Sequence, residues 1–98
     1  MSVIVTLEAR AKPGQAASLR ETFLAILPDT RAYAGCESLE FVVNQDEPDV
    51  VMLWEVWNDR QSYETYLQWR VERGDVEKLA GILAEPAKIR YFDTVKHY

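Results

Sequence analysis

Apolar and polar residues alternate from residue 2 to residue 11. Val3, Val5, Leu7, Ala9 and Ala11 fall on one side, and Ile4, Thr6, Glu8 and Arg10 on the other. A period of two predicts a strand. Lys12-Pro13-Gly14 interrupts it, since proline cannot donate to a ladder and glycine permits the turn. The period then changes. Ala16, Leu19, Phe23, Ile26 and Leu27 follow helical three-and-four spacing over residues 15–27. Pro28 is expected to stop or kink this helix, residues 30–34 to continue it loosely, and Gly35 to close it. A second strand is predicted over 36–44, with Leu39, Phe41 and Val43 on one face, followed by the polar turn Gln45-Asp46-Glu47-Pro48-Asp49. A third strand covers 50–57. Asn58 or Asp59 then caps a helix over 60–73, whose inward stripe is Tyr63, Tyr66, Leu67 and Arg70 or Val71. A shorter helix is expected over 76–83, Glu85-Pro86 ends it, and a fourth strand runs over 87–95.

The order β-α-β-β-α-(α)-β is the ferredoxin-like arrangement of an α+β fold, an antiparallel sheet with helices on one face. The third strand adds a constraint. Val51, Leu53, Glu55 and Trp57 lie on one of its faces, and Val50, Met52, Trp54 and Val56 on the other. An antiparallel strand with one solvated face should be polar on that side, and this one is not. In a chain with two or three helices, the cover available for the second face is another copy of the same sheet. The expectation is therefore a two-fold homodimer, sheet against sheet, burying Met52 and Trp54.

Ninety-eight residues make one expected domain, 1–98, with an ordinary globular balance of 48% hydrophobic and 28% charged residues. Eleven basic against sixteen acidic residues give a net charge of −5. That balance argues against a nucleic-acid partner, which calls for a basic stripe facing phosphates, and against an anionic membrane surface. No run is apolar enough to span a bilayer, and the N-terminal residues enter the strand pattern without the charged and apolar regions of a signal peptide. The one cysteine, Cys36, has no partner for an internal disulfide, so a cytoplasmic location is expected.

Metal chemistry has little to work with: one histidine, His97, sits next to the end of the chain, and no cluster has ligand spacing. His97 reads as a solvated tail residue. Gly14, Gly35, Gly74 and Gly81 are isolated, so no phosphate-binding loop is present. Cys36 is expected to have no positive neighbour that lowers its pKa, and reads as a small buried or edge residue, not a nucleophile. Aromatic residues are the remaining signal. Trp57, Tyr63, Tyr66 and Trp69 fall within thirteen residues, across the end of strand three and the following helix. One indole N–H and two phenol O–H groups around an apolar cavity suit a flat, partly polar ligand, although plain core packing accounts for the same spacing. Glu55 shares the Trp57 face. If shielded from water its pKa rises into the range of a useful base; solvated, or paired with arginine, it stays an ordinary carboxylate.

The chain resembles the antibiotic biosynthesis monooxygenase (ABM) family of dimeric α+β barrel proteins. The resemblance rests on Lys12-Pro13-Gly14 after strand one, the helix leading to Gly35-Cys36, the Glu55-Val56-Trp57 ending of strand three, Tyr63 at the start of the next helix, and Glu85-Pro86 before the last strand. It covers essentially the whole chain. It implies oxidation of phenols or quinols by molecular oxygen with neither metal nor flavin, in a pocket between sheet and helices. Trp57 and Tyr63 match in spacing a tryptophan–tyrosine pair implicated in some members. Many members carry histidine three residues after the aromatic, where this chain has Tyr66. A tyrosine with a pKa near 10 donates a hydrogen bond but is a weak base at neutral pH. A haem-degrading branch needs an axial histidine that this helix lacks.

The function expected from these readings is a cofactor-independent monooxygenase acting on a small phenolic, quinol or polyketide-like aromatic compound. Trp57 and Tyr63 would position and polarise the substrate, Tyr66 would donate in place of the histidine, and Glu55 would be the base. Phe41, Leu53 and Trp69 would shape the walls. The alternatives are an isomerase of a small carbonyl compound, using the same pocket without oxygen, and a non-catalytic ligand-binding dimer. A polycyclic substrate requires a cavity above about 300 Å³.

Overall fold

The computed structural model describes residues 2–98, and the strands and helices follow in the expected order. They are β1 (Val3–Arg10), α1 (Ala16–Ala32), β2 (Cys36–Val43), β3 (Val50–Trp57), α2 (Arg60–Glu72), α3 (Asp75–Ala80) and β4 (Lys88–Phe92). The sheet is antiparallel throughout, in the order β2-β3-β1-β4. β1 is central: Val5 pairs with Glu55 on one side and Tyr91 on the other, and Leu7 pairs with Leu53 and Ile89. This register puts Val5, Leu7, Leu53, Glu55 and Ile89 in rows on the face that the helices cover.

Two apolar clusters fill that interface. α1 lays Leu19, Phe23 and Leu27 onto Ala9, Ala11, Val51 and Leu53, while α2 lays Tyr63 and Tyr66 onto Val3, Val5, Cys36 and Trp57. Trp57, Tyr63, Phe23 and Leu19 are completely buried. Each such side chain contributes about 2–3 kcal/mol through area removed from water. No helix is long and apolar enough to cross a membrane among the described residues.

Element boundaries depart from the periodic pattern where chain chemistry intervenes. Pro28 does not stop α1, which runs on to Ala32 with the proline inside. The carbonyl it leaves without a helical donor belongs to Leu24, which is 63% exposed, so water can serve it. α3 spans Asp75–Ala80 rather than 76–83, since Ile82, Leu83 and Ala84 instead bond back along β1 through Lys12 N to Ile82 O and Ala84 N to Arg10 O. β4 keeps only its paired residues, and the segment beyond it, with Val95 and His97, is exposed. Asp59, not Asn58, caps α2: its carboxylate accepts from Ser62 N at 2.7 Å, and that bond holds its pKa below the ordinary value. Asn44 builds the β2–β3 turn by accepting from Asp46 N and Glu47 N.

Gly35, where α1 hands over to β2, has φ +99. A Cβ there would come within 2.7 Å of Ser62 Cβ and 2.8 Å of Asn58 Oδ1. Both the left-handed backbone and the close approach to α2 require glycine. Gly35→Ala is expected to cost about 2 kcal/mol or more, read as a lower urea midpoint at unchanged m value. An unchanged midpoint would show that α2 yields freely at this contact.

Candidate functional site

The middle of β3 and the first two turns of α2 meet under α1 to form the site. Strand alternation directs Leu53, Glu55 and Trp57 at the helices, and helical spacing puts Tyr63, Tyr66 and Arg70 on one stripe facing them. Arg70, not Val71, completes that stripe: Arg70 is 3% exposed and Val71 49%.

Glu55 is the unusual group. It is 1% exposed and has no cationic partner within ion-pair distance among the described residues; its Oε1 accepts from the Trp57 indole N–H at 2.8 Å. Burial pushes its pKa up to about 7, and the indole bond only partly opposes this. The same burial, with the Glu55 charge behind it, pushes the Tyr63 phenol far above its ordinary value. The two groups thus share the cavity as a carboxyl poised near neutrality and a phenol that keeps its proton.

A second group of polar atoms lies one helical turn further on. Arg70 donates from Nε to the Tyr66 hydroxyl at 2.9 Å, from Nη1 to Asp75 Oδ2 at 2.9 Å, and from Nη2 to Ile26 O at 2.8 Å and Thr30 Oγ1 at 3.2 Å. Thr30 Oγ1 and the Tyr66 hydroxyl are 2.6 Å apart. Desolvation raises the Tyr66 pKa against the opposing pull of Thr30 and Arg70, so Tyr66 too is a neutral phenol. Nothing in the sequence marks Arg70 as a hub except its phase with Tyr63 and Tyr66, and an aspartate, Asp75, five residues later.

The space between these groups has a volume of about 50 Å³. Glu55, Tyr63, Tyr66, Leu53 and Arg70 line it from sheet and α2, Ile26 from α1, and Val76 and Leu79 from α3. It admits a small molecule such as dioxygen or a water or two, and is well below the 300 Å³ or so at which ligand sites begin. Trp57 lies behind this lining, its ring 5.5 Å from Tyr63 and 5.1 Å from Tyr66. It therefore supports the site and does not form its wall.

Two expected wall residues are elsewhere. Phe41 packs on Phe23 at 5.4 Å and borders a surface groove with Arg20, Leu24 and Val42. Trp69 faces outward beside Tyr33, 5.2 Å away, with the guanidinium carbons of Arg70 and Arg73 at 4.7 and 4.9 Å from its ring. The strand period puts Phe41 on the helix-covered face, but β2 is an edge strand, and Phe41 pairs with Leu53 while Leu39 takes the place opposite Glu55. Cys36 is buried as expected, but it does have a positive neighbour: Arg31 donates to its carbonyl at 3.0 Å and pulls its thiol pKa down. Burial, followed by the Glu55 charge, nevertheless outweighs Arg31 and raises the thiol pKa, which keeps it unreactive. Among the described residues no group of three His, Cys, Asp or Glu is placed to hold a metal ion.

Known proteins share this fold. In Synechocystis sp. an uncharacterized protein is 27% identical over 94 residues; the match takes in 92% of this chain and 61% of the relative, so the chain spans about three fifths of that protein's length. The crystal structure of an antibiotic biosynthesis monooxygenase superposes with a TM-score of 0.85 at 17% identity, covering 96% of this chain and 99% of the other. A conserved protein from Methanosarcina mazei superposes with 0.84 at 15% identity, over 94% and 91%. A Deinococcus radiodurans protein does so with 0.85 at 21% identity, over 98% and 95%. At these identities the structural likeness speaks for the fold. The sequence itself matches the antibiotic biosynthesis monooxygenase family over residues 2–85, which takes in β1 through α3 and every residue lining the Glu55 cavity, and the chain belongs to that family.

Proposed function

We propose that the protein is a monooxygenase in which Glu55 takes the proton of a small quinol or phenol and molecular oxygen attacks the resulting anion without a cofactor. The observation that carries this reading is the buried Glu55 carboxyl on the cavity wall, with no cation to hold it ionised and a pKa of about 7. A base is most useful when its pKa lies near the working pH. Glu55 takes over the role left open by Tyr66 in place of the family's histidine. The quinolate passes one electron to dioxygen, the radical pair joins at a ring carbon as a peroxide, and loss of water leaves a hydroxyquinone. One oxygen atom stays on the ring and the other departs as water, so quinol plus dioxygen gives hydroxyquinone plus water.

Tyr63 is the donor for the developing charge, since its hydroxyl keeps its proton and makes no hydrogen bond among the described residues. Tyr66 joins it when Thr30 supplies the hydrogen of their shared bond, leaving the phenol hydrogen free. Leu53 forms the apolar floor, and Trp57 fixes the Glu55 carboxylate. Phe41 and Trp69 have no part in this scheme. The 50 Å³ volume excludes fused rings outright, and a single ring enters only if a wall of the cavity moves. It also keeps an isomerase of a small carbonyl compound in view, which would use Glu55 for proton transfer without oxygen.

Oxygen uptake with hydroquinone, under chelating conditions, tests the reading. Uptake that requires the protein and falls at least tenfold in Tyr63→Phe and Trp57→Phe supports it. Proton exchange into a carbonyl substrate without oxygen uptake would transfer the site to the isomerase.

The reading includes a homodimer through the open sheet face. Trp54 is 39% exposed there, with Val42 at 41% and Phe92 at 46%, and Met52 is half-buried. The register aligns Glu40, Trp54, Thr6 and Arg90 in one row across the sheet and Val42, Met52, Glu8 and Lys88 in the next. Trp54 and Met52 lie side by side on β3, with Glu40 and Arg90 at the two edges of the first row and Glu8 beside Lys88 in the second, an apolar patch among paired charges that suits a two-fold partner. Trp54→Asp, which would bury an unpaired charge in each copy, should weaken the dimer about 100-fold or more, read by sedimentation across a concentration series. A wild type already monomeric at millimolar concentration would refute the interface.

A further inference from the structure

We infer that α3 is the movable wall of a two-part ligand site, in which the Glu55 cavity takes a single aromatic ring and the groove between α1 and α3 takes a short uncharged polar tail. The inference rests on the Glu55 cavity being the substrate site. That cavity is too small for any ring as it stands, so the ring's space must come from a neighbouring volume. A groove of about 410 Å³ adjoins it, lined by Ser18, Thr22 and Lys78 among others, and the two share the walls Ile26, Asp75 and Leu79. Glu21 also lines this groove opposite the charge of Lys78, and Asp75 is paired with Arg70 and Arg73, so the lining favours a tail without net charge.

The three shared walls differ in how firmly they are held. Ile26 belongs to the seventeen-residue α1, anchored by Leu19, Phe23 and Leu27. Asp75 and Leu79 belong to α3, which has six residues, none of them buried. Its N-cap, Gly74, has φ +83 and its C-cap is Gly81. Beyond Gly81 the chain is tied to β1 by Lys12 N to Ile82 O and Ala84 N to Arg10 O. Both ends of α3 therefore carry a glycine beside a fixed element. Segments with few buried contacts open at low free energy while the core stays closed.

Two ion pairs of Asp75 and the packing of Leu79 on the core hold the wall shut. Asp75 meets Arg70 at 2.9 Å and Arg73 at 3.2 Å, with side-chain exposures of 4% for Arg70 and 19% for Asp75. When α3 swings away, Arg70 loses Asp75 and keeps Tyr66, Ile26 and Thr30. Opening therefore costs Arg70 one of its partners, together with the packing of Leu79, and leaves the rest of the network in place. The latch lies on the same guanidinium that orients Tyr66, so a ligand entering past Asp75 reaches the catalytic donors directly.

The test requires no turnover, so failure of the oxygenase reading would not hide its result. In a Cys36→Ala background, Leu53→Cys places a thiol on the cavity floor, and its reaction with a disulfide reagent at low urea reports opening. Adding Asp75→Asn should speed labelling about tenfold, with a rate independent of urea until global unfolding begins. Tyrosol, a phenol ring with a two-carbon hydroxyl tail, should slow it at least threefold at millimolar concentration. Labelling unchanged by Asp75→Asn, or labelling that follows the urea dependence of global unfolding, would overturn the movable wall. Absence of protection by tyrosol would overturn the two-part site. Should Leu53→Cys fail to fold, Leu67→Cys places the thiol on the α2 wall of the same cavity.

Discussion

Glu55→Gln is expected to remove a pH dependence of stability worth about 3 kcal/mol and to lower turnover at least a hundredfold. The carboxyl titrates near 4.5 in the unfolded chain and near 7 when folded. Between those values the folded state holds a proton that the unfolded state has lost. Stability from this group is therefore fully present below pH 4.5 and is lost as pH rises to 7. Other groups titrate in both proteins, so the comparison is the difference between wild type and Glu55→Gln in urea unfolding from pH 4.5 to 8. The variant should lose no stability from this source, and it should be the more stable protein at pH 8, less the cost of placing an amide N–H₂ where a carboxylate oxygen was. Its carbonyl can still accept from Trp57. Activity runs in the opposite direction. Wild-type kcat/KM should rise with pH around a midpoint near 7, as Glu55 becomes a base, while the variant stays flat and low. Parallel stability curves for the two proteins would mean that Glu55 is not shielded as its burial indicates.

These opposed slopes explain why such a group sits in the middle of a small core. A carboxylate with no cation partner costs stability at neutral pH, and the surrounding aromatic rings, which make up much of the core, supply the stability that tolerates it. Trp57, Tyr63 and Tyr66 thus act at two levels. They are packing, as their burial requires, and they form or support the cavity. On spacing alone, core packing and ligand binding are rival accounts of these rings; the structure shows the packing, and the proposed reading gives the same cluster the second role.

Alternation and helical spacing make the fold legible, because one-sided burial imposes those periods directly. The doubly apolar β3 likewise stands out from the residue pattern alone. Boundaries are harder to read. Pro28 has a strong local effect, but Leu24 faces water and Leu27 and Thr30 still pack, so tertiary burial carries α1 past it. At the site, Glu55 and Tyr63 can be placed together because one strand face and one helix stripe locate them. Phe41 and Trp69 cannot be excluded that way, because their distance from Glu55 depends on strand order and on which side of α2 meets Tyr33. Arg70 is hidden for a different reason. Its importance comes from Thr30 and Ile26, forty and forty-four residues away in sequence, and no local pattern encodes contacts of that kind.

Arg70→Met should therefore be strongly destabilising, at about 3 kcal/mol. Methionine keeps the buried apolar stem but donates nothing. The Ile26 carbonyl loses a 2.8 Å bond, the Tyr66 and Thr30 hydroxyls lose a shared donor, and Asp75 retains only Arg73. Asp75 is partly exposed and keeps one cation, which limits its share of the loss. Tyr66→Phe removes a single member of the same cluster and should cost about 1 kcal/mol. The ratio between the two variants tests the hub more sharply than either value alone. Thermal unfolding should show Arg70→Met lower by more than about 10 °C, and Tyr66→Phe by less than half as much. Adding Asp75→Asn to Arg70→Met should cost little more, because the carboxylate has already lost its main partner. Equal losses in Arg70→Met and Tyr66→Phe would mean that the guanidinium merely fills space. In that case the wall formed by α3 would need a different latch.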